Sequence, residues 1–414
     1  MSSKNRPAII HLKTLIPVCA FMFHLLLAGC GDHIGTKDFD SVPPEKVVSL
    51  NVQPGEEEIL LSWQNPDDPE FKGVVIRRGT IGNPQSASDP QSAENKIIYV
   101  GAGNSFTDTD MADGKKYFYS LFTYDESSNY SLGVSASATF AFKPFTLVAL
   151  PDTQYYTLDY PDLLTTQTQW IVDNQLTKNI AFVMHEGDMT HKNTTSEWTN
   201  ASNSFTLLDG VVPYAIVPGN HDTPTTNMNI YFPVSRFSSQ TYYGGVYEPD
   251  KIDNAYYLFR AGGTDWLVMC LEYDPSDDAL AWASGILDLY PDRRAIVLTH
   301  YYLTGAGTRS AAGKNIWNKL VKSHSNVSFV FNGHVTDPVA SRLVSTGDNG
   351  NTVYQMMANY QDMNFGGTGY LRIIEIDRHN RKVSVKTYSA WLAIYMTDDD
   401  NQFEFTDVEL GPPQ

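Results

Sequence analysis

Between residues 47 and 142 the apolar positions come in short runs, at 47–52, 58–63, 73–78, 96–100, 116–124 and 133–142. Turn-forming groups separate them: Pro54-Gly55, Asn65-Pro66, Ala102-Gly103-Asn104 and Asp113-Gly114. Runs of this length, bounded by Gly, Pro, Asn and Asp, predict β-strands, and several at short spacing predict a sandwich. From Phe145 the rhythm changes to strand, loop, helix. Apolar runs at 145–150, 180–184, 214–217, 295–299 and 327–331 predict strands, while 163–176 and 196–208 carry helical spacing. The runs 256–260 and 265–272 flank Ala261-Gly262-Gly263-Thr264, a hairpin signal. Further strands are expected at 353–357, 370–377 and 382–389. Gly366-Gly367-Thr368-Gly369 reads as a flexible loop, and the acidic, Pro-ended stretch 397–414 as surface chain.

The 414 residues exceed one ordinary domain. The pattern divides them into a leader (1–29), a tether (30–42), a β domain (43–142), an α/β domain (145–395) and a C-terminal tail (396–414). The leader joins Lys4, Arg6 and Lys13 to an apolar run ending in Leu27-Ala28-Gly29-Cys30, the arrangement of an export signal, and the run is too short for a spanning helix.

The formal charge is −18. Without residues 1–29 there are 26 basic against 47 acidic residues, a formal −21, and no Lys/Arg cluster. Such a surface repels nucleic acid and keeps the chain soluble. Of the three cysteines, Cys19 and Cys30 lie in or beside the leader. Cys270 stands alone in an apolar strand, so no intrachain disulfide framework is expected and Cys270 reads as an inert core residue.

The chemistry concentrates where strands end. Phe145–Leu150 runs into Asp152-Thr153-Gln154, the next strand into His185-Glu186-Gly187-Asp188, and the third into Gly219-Asn220-His221-Asp222; two later strands end at His300 and at Asn332-Gly333-His334. Open α/β sheets bind ligands at the carboxyl ends of their strands. Oxygen and imidazole donors without thiolates suit divalent Mn, Fe, Zn or Mg. One histidine after a strand is usually packing; five such strand ends in one domain are not. His185 reads either as a partner of this set or as a hydrogen-bonded strand histidine, and His191 as an incidental loop residue. Arg236, Arg309 and Lys314 could grip phosphate or simply lie on the surface. Tyr155-Tyr156 and Tyr301-Tyr302 could line a pocket or pack.

Three family resemblances follow from these residues. Leu27-Ala28-Gly29-Cys30 resembles a bacterial lipobox, which implies cleavage before Cys30, a lipid on its thiol and a membrane-anchored protein of the bacterial cell envelope. Trp63 and Met111-Ala-Asp-Gly-Lys-Lys-Tyr117 resemble the core Trp and the Tyr corner of a fibronectin type III domain, a spacer or docking module. The ordered set over about 145–390 resembles the calcineurin-like metallophosphoesterases. That resemblance implies a four-layer α/β/β/α sandwich, two divalent metals and hydrolysis of a phosphomonoester or phosphodiester. Carried over, Asp188 bridges the metals; Asn220, His300 and His334 complete one site; Asp152 and Gln154 belong to the other. His221 serves as acid for the leaving group, with Asp222 pairing to its ring. Gln154 stands where the family usually has His, and Thr336 where the second His of Gly-His-x-His belongs, leaving Asp337 as the neighbouring oxygen donor. The missing His favours a second reading, a non-catalytic envelope lipoprotein on a degenerate phosphoesterase fold that binds a ligand or partner.

Overall fold

The computed structural model describes residues 40–411. The leader, Cys30 and most of the tether lie outside them. Among the described residues, seven strands make the first part: β1 (Val48–Pro54), β2 (Ile59–Gln64), β3 (Gly73–Gly79), β4 (Asn95–Gly101), β5 (Ser105–Asp108), β6 (Lys116–Tyr124) and β7 (Val134–Thr139). They form two sheets, β1-β2-β5 and β4-β3-β6-β7. Alternation on β2 turns Ile59, Leu61 and Trp63 inward onto Val74, Ile76, Tyr119 and Leu121. Full burial of each such side chain contributes roughly 1.5–3 kcal/mol. Charged groups are buried beside this core as well, Arg77, Arg78 and Asp108 among them. Arg78 donates to both oxygens of Asp108 at 2.6 and 2.8 Å, and the Tyr119 hydroxyl donates to the same carboxylate at 2.9 Å.

The second part alternates strands and helices: β8 (Phe145–Leu150), α1 (Gln154–Asp159), α2 (Pro161–Asn174), β9 (Ile180–His185), α3 (Thr195–Thr206), β10 (Tyr214–Ile216), α4 (Thr226–Tyr231), α5 (Val234–Ser238), β11 (Tyr243–Val246), β12 (Ala255–Ala261), β13 (Thr264–Cys270), α6 (Asp277–Leu289), β14 (Arg294–Leu298), α7 (Ala311–Ile316), β15 (Val327–Asn332), β16 (Ala340–Thr346), β17 (Thr352–Ala358), β18 (Tyr370–Asp377), β19 (Lys382–Ser389), β20 (Ile394–Met396) and β21 (Gln402–Phe405). One seven-stranded sheet runs β10-β9-β8-β18-β19-β20, with β21 also paired to β19; the other runs β11-β12-β13-β14-β15-β17-β16. The two meet face to face through large rings, Phe145 on Trp266 at 5.7 Å and Phe182 on Phe259 at 5.0 Å between centroids. Leu164 and Ile171 of α2 and Trp198 and Phe205 of α3 join that core. Leu280, Ala283 and Leu287 of α6 pack with Leu267, Met269, Ala295 and Val297 of the second sheet in another. The result is the expected helix, sheet, sheet, helix layering.

Two expectations are adjusted. Residues 396–411 lie largely at the surface but are not a loose tail: β21 pairs with β19, and Val408 and Leu410 are buried. Nor is 366–369 loose. Gly366 and Gly367 are buried, and a Cβ at Gly366 would come within 2.5 Å of Tyr155.

The sandwich grips the β12–β13 turn. Gly262 and Gly263 have φ of 58° and 69°, the left-handed pair a two-residue hairpin needs. Glu57 accepts from the Gly263 amide at 3.1 Å and from Arg260 Nε at 2.6 Å. The Phe142 ring lies so close that a Cβ at Gly263 would come within 2.1 Å of it.

Candidate functional site

Strands β8, β9 and β10 run parallel, as do β13, β14, β15 and β17, so each sheet sends its following loops to one edge. Asp152 and Gln154 follow β8, Asp188 follows β9, Asn220 and His221 follow β10, His300 follows β14 and His334 follows β15. Their backbones are shaped for delivery. Asp188 and His334 hold φ of 49° and 74°, uncommon for residues with a side chain. The motif glycines leave room for their neighbours: a Cβ at Gly187 would lie 2.6 Å from the His300 ring, at Gly219 2.1 Å from Asp188 Oδ1, and at Gly333 2.1 Å from Asp152 Oδ1.

Asp188, His300 and His334 place one donor atom each within 4.8 Å of one another. His300 Nδ1 donates to the Glu186 carbonyl at 2.9 Å, which turns Nε2 toward the cluster. Nε2 then faces Asp188 Oδ2 at 3.2 Å, Asn220 Oδ1 at 3.2 Å and His334 Nδ1 at 3.1 Å. Burial works against a charged His300, yet the Asp188 and Asp152 carboxylates outweigh it and raise the ring to about 10. Burial lowers His334 to about 4, with the adjacent His300 adding to the effect. Burial also pushes Asp152 up to about 8. Four donor atoms from four side chains thus converge on one point, where a single cation can be shared among them. The donor set, a carboxylate, an amide oxygen and two imidazoles, fits a first-row divalent metal.

His221 lies beside this cluster. Its backbone N–H donates to Asp188 Oδ1 at 2.8 Å, and its Nδ1 to the His191 carbonyl at 2.8 Å. The expected pairing of Asp222 with the His221 ring is not there. Asp222 is fully buried and accepts instead from the amides of Met189 and Gly219 at 3.0 Å each and of Thr190 at 2.9 Å, and from the Thr190 hydroxyl at 2.8 Å. Four donors leave it no face for the imidazole. It ties the loop after β9 to the loop after β10.

Asp152 and Gln154 take further partners of their own. Asp152 Oδ1 accepts from the His334 amide at 3.1 Å and Oδ2 from Asn359 Nδ2 at 2.7 Å. Gln154 Nε2 donates to Gln361 Oε1, and its Oε1 meets His191 Nδ1 at 3.1 Å. Asn359 and Gln361, just after β17, carry no signal in the sequence that marks them for this site. His191 is no incidental loop residue either: it stacks on His221 at 5.0 Å and on Tyr155 at 4.8 Å. Its short spacing from Asp188 was the only available signal. Asp337 is exposed.

The open alternatives resolve. His185 is a hydrogen-bonded strand histidine, accepting from the Gly187 amide at 3.2 Å and bonded to Thr153 Oγ1 at 2.9 Å. Arg236 pairs with Asp209 at 3.1 Å, and Arg309 stacks on Trp317 at 3.6 Å. Lys314 is exposed on α7. Tyr301 lies 4.3 Å from the His334 ring, and Tyr273, also missed, 5.8 Å from it; Tyr156 and Tyr302 are core. Cys270 is buried, and burial pushes its thiol pKa up.

Residues 146–338 match the family model of the calcineurin-like phosphoesterases. They form a calcineurin-like phosphoesterase domain. Before it stands the two-sheet β region of β1 to β7. The uncharacterized protein YvnB of Bacillus subtilis (strain 168) is 35% identical over 284 residues, which are 65% of this chain. The chain spans only 22% of that curated relative's length. Among solved structures, purple acid phosphatase PPD1 from yellow lupin (Lupinus luteus) seeds aligns over 87% of this chain and 74% of its own, at 14% identity and a TM-score of 0.42. A Fn3-like protein from Clostridium thermocellum aligns over 24% of this chain and 96% of its own, at 18% identity and a TM-score of 0.19. The calcineurin-like phosphoesterase domain holds every candidate metal and catalytic residue named from the sequence.

Proposed function

We propose that the chain hydrolyses a phosphomonoester or phosphodiester at the bacterial cell envelope, using a divalent metal held by Asp188, Asn220, His300 and His334. The observation that carries this is the convergence of His300 Nε2 with Asp188, Asn220 and His334 at 3.1 to 3.2 Å. A divalent ion there supplies Lewis acidity toward the phosphoryl oxygens and makes water acidic enough to attack near neutral pH. The chain's own groups do the rest. The Glu186 carbonyl fixes the His300 tautomer and so aims its lone pair. The His191 carbonyl holds the His221 Nδ1 proton, which leaves Nε2 to carry a second proton to the leaving oxygen. Tyr155 and Tyr301 flank the cleft.

Leu27-Ala28-Gly29-Cys30 supports export and a lipid anchor at Cys30; among the described residues no helix is long and apolar enough to cross a membrane. The test is turnover of aryl phosphate mono- and diesters by metal-stripped protein with graded Mn²⁺, Fe²⁺, Zn²⁺ or Mg²⁺, alongside fractionation of cells making wild type or Cys30→Ser. Metal-independent turnover, or a Cys30→Ser protein that fractionates like wild type, would sink the respective half. Thr336 in place of a second His favours the other reading, a ligand-binding protein on this fold. Tight metal binding without turnover of any ester would select it.

A further inference from the structure

We infer that this chain holds one metal ion per domain, and that side chains hydrogen-bonded to one another fill the place of the second. The inference rests on the reading that Asp188, His300 and His334 bind an ion. The sequence expectation was two ions, with Asp152, Gln154 and Asp188 as the ligands of one. In the fold the two sets of donors are in opposite condition. Around His300 Nε2 a carboxylate, an amide oxygen and a second imidazole converge at 3.1 to 3.2 Å. Around Asp152 and Gln154 the polar atoms are already matched. Each Asp152 oxygen accepts a hydrogen bond, from His334 N–H and from Asn359 Nδ2. The Asn359 amide cannot be turned the other way, because its Oδ1 accepts from the Gln361 N–H at 3.0 Å and the reversed amide would set two acceptors face to face. Gln154 is bonded at both ends, to Gln361 and to His191. Asp152 keeps lone pairs on both oxygens, so Gln154 and Thr336 decide the matter. The amide is committed, and the residue at the second His position offers only a hydroxyl. Two carboxylate oxygens, from Asp152 and Asp188, with the single imidazole of His191 engaged by Gln154, are a poorer site for a first-row divalent ion than one with two imidazoles.

The test counts ions on the full chain. Metal-stripped protein is dialysed against graded Mn²⁺, ions per chain are measured by elemental analysis, and anomalous difference maps place them. One saturable ion at Asp188, His300 and His334 supports the inference. Its loss in His334→Ala, or in His334→Gln should the first variant not fold, supports it further. Removing a residue that holds a ligand typically costs about 10–100-fold in metal affinity, so Gln154→Ala should stay below about tenfold and keep the count at one. Two ions per chain at saturation overturn the inference and leave the phosphoesterase reading standing. No bound ion overturns the metal reading itself, and this inference with it.

Discussion

His221 and Asp222 are neighbours in the chain yet belong to different networks. Nδ1 of His221 reaches the His191 carbonyl at 2.8 Å, while the Asp222 carboxylate gathers the amides of Met189, Thr190 and Gly219 at 2.9 to 3.0 Å. One residue faces the cleft and the other fastens the loops beneath it.

Asp222→Ala strands those buried donors, so it should destabilise the protein by at least about 3 kcal/mol. Asp222→Asn should recover little, since its NH₂ would oppose backbone N–H groups. Urea unfolding of metal-free protein measures both. An unchanged midpoint with only the pH–rate profile altered would mean that Asp222 acts through His221 after all.

His221→Ala should slow esters with poor leaving groups by about 10²–10⁴-fold and activated aryl esters far less. Comparing kcat/KM for an alkyl and a nitrophenyl ester checks this. Equal losses on both would reduce His221 to a binding residue.

Gly219→Ala places a Cβ 2.1 Å from Asp188 Oδ1 and 2.4 Å from its backbone nitrogen, so metal affinity should collapse while circular dichroism changes little. Gly285→Ala, in α6 with nothing within 4 Å of its Cβ position, is the control. It should gain roughly 0.5–1 kcal/mol from helix propensity and leave metal binding alone. Matched metal affinities in the two variants would contradict the close approach at Gly219.

The Lys96 ammonium and the Arg78 guanidinium hold Asp110 at about 2, below its ordinary 3.8. A carboxyl depressed on folding stabilises the fold above its unfolded pKa, and that increment is lost as pH falls through the folded value. Wild type should therefore exceed Asp110→Asn above about pH 4 and converge with it near pH 2. The gap should stay under about 1 kcal/mol, because the Asp110 carboxylate itself is largely exposed to solvent. Unfolding curves across that range decide it; a gap that widens toward pH 2 would contradict the pairing.

What could be read from the sequence follows from how local each signal is. Strands 116–124 and 145–150 were legible to the residue, since alternation or an unbroken apolar run marks them. β5, only Ser105–Asp108 with one aromatic, was not. The Gly219-Asn220-His221-Asp222 motif announced the loop after β10, but the pairing of Asp222 with the His221 ring came from the family resemblance, and this chain spends that carboxylate on backbone amides instead. Asn359 and Gln361 were invisible because they serve Asp152 and Gln154 from across the gap between two sheets, a contact that no spacing along the chain encodes. β21 was hidden by its charges: Gln402-Phe-Glu-Phe405 alternates plainly, but acidic flanks disguise it.

The grip of Glu57 on the Gly262-Gly263 turn fixes which way the cleft looks. That turn precedes β13, at the end of the sheet from which the parallel strands start, whereas His300 and His334 follow the ends of β14 and β15. The sandwich therefore sits behind the catalytic half, like a handle behind a blade. Among the described residues the sandwich and the candidate metal site lie at opposite ends of the parallel strands, and the loops around His300 and His334 are left uncovered by it.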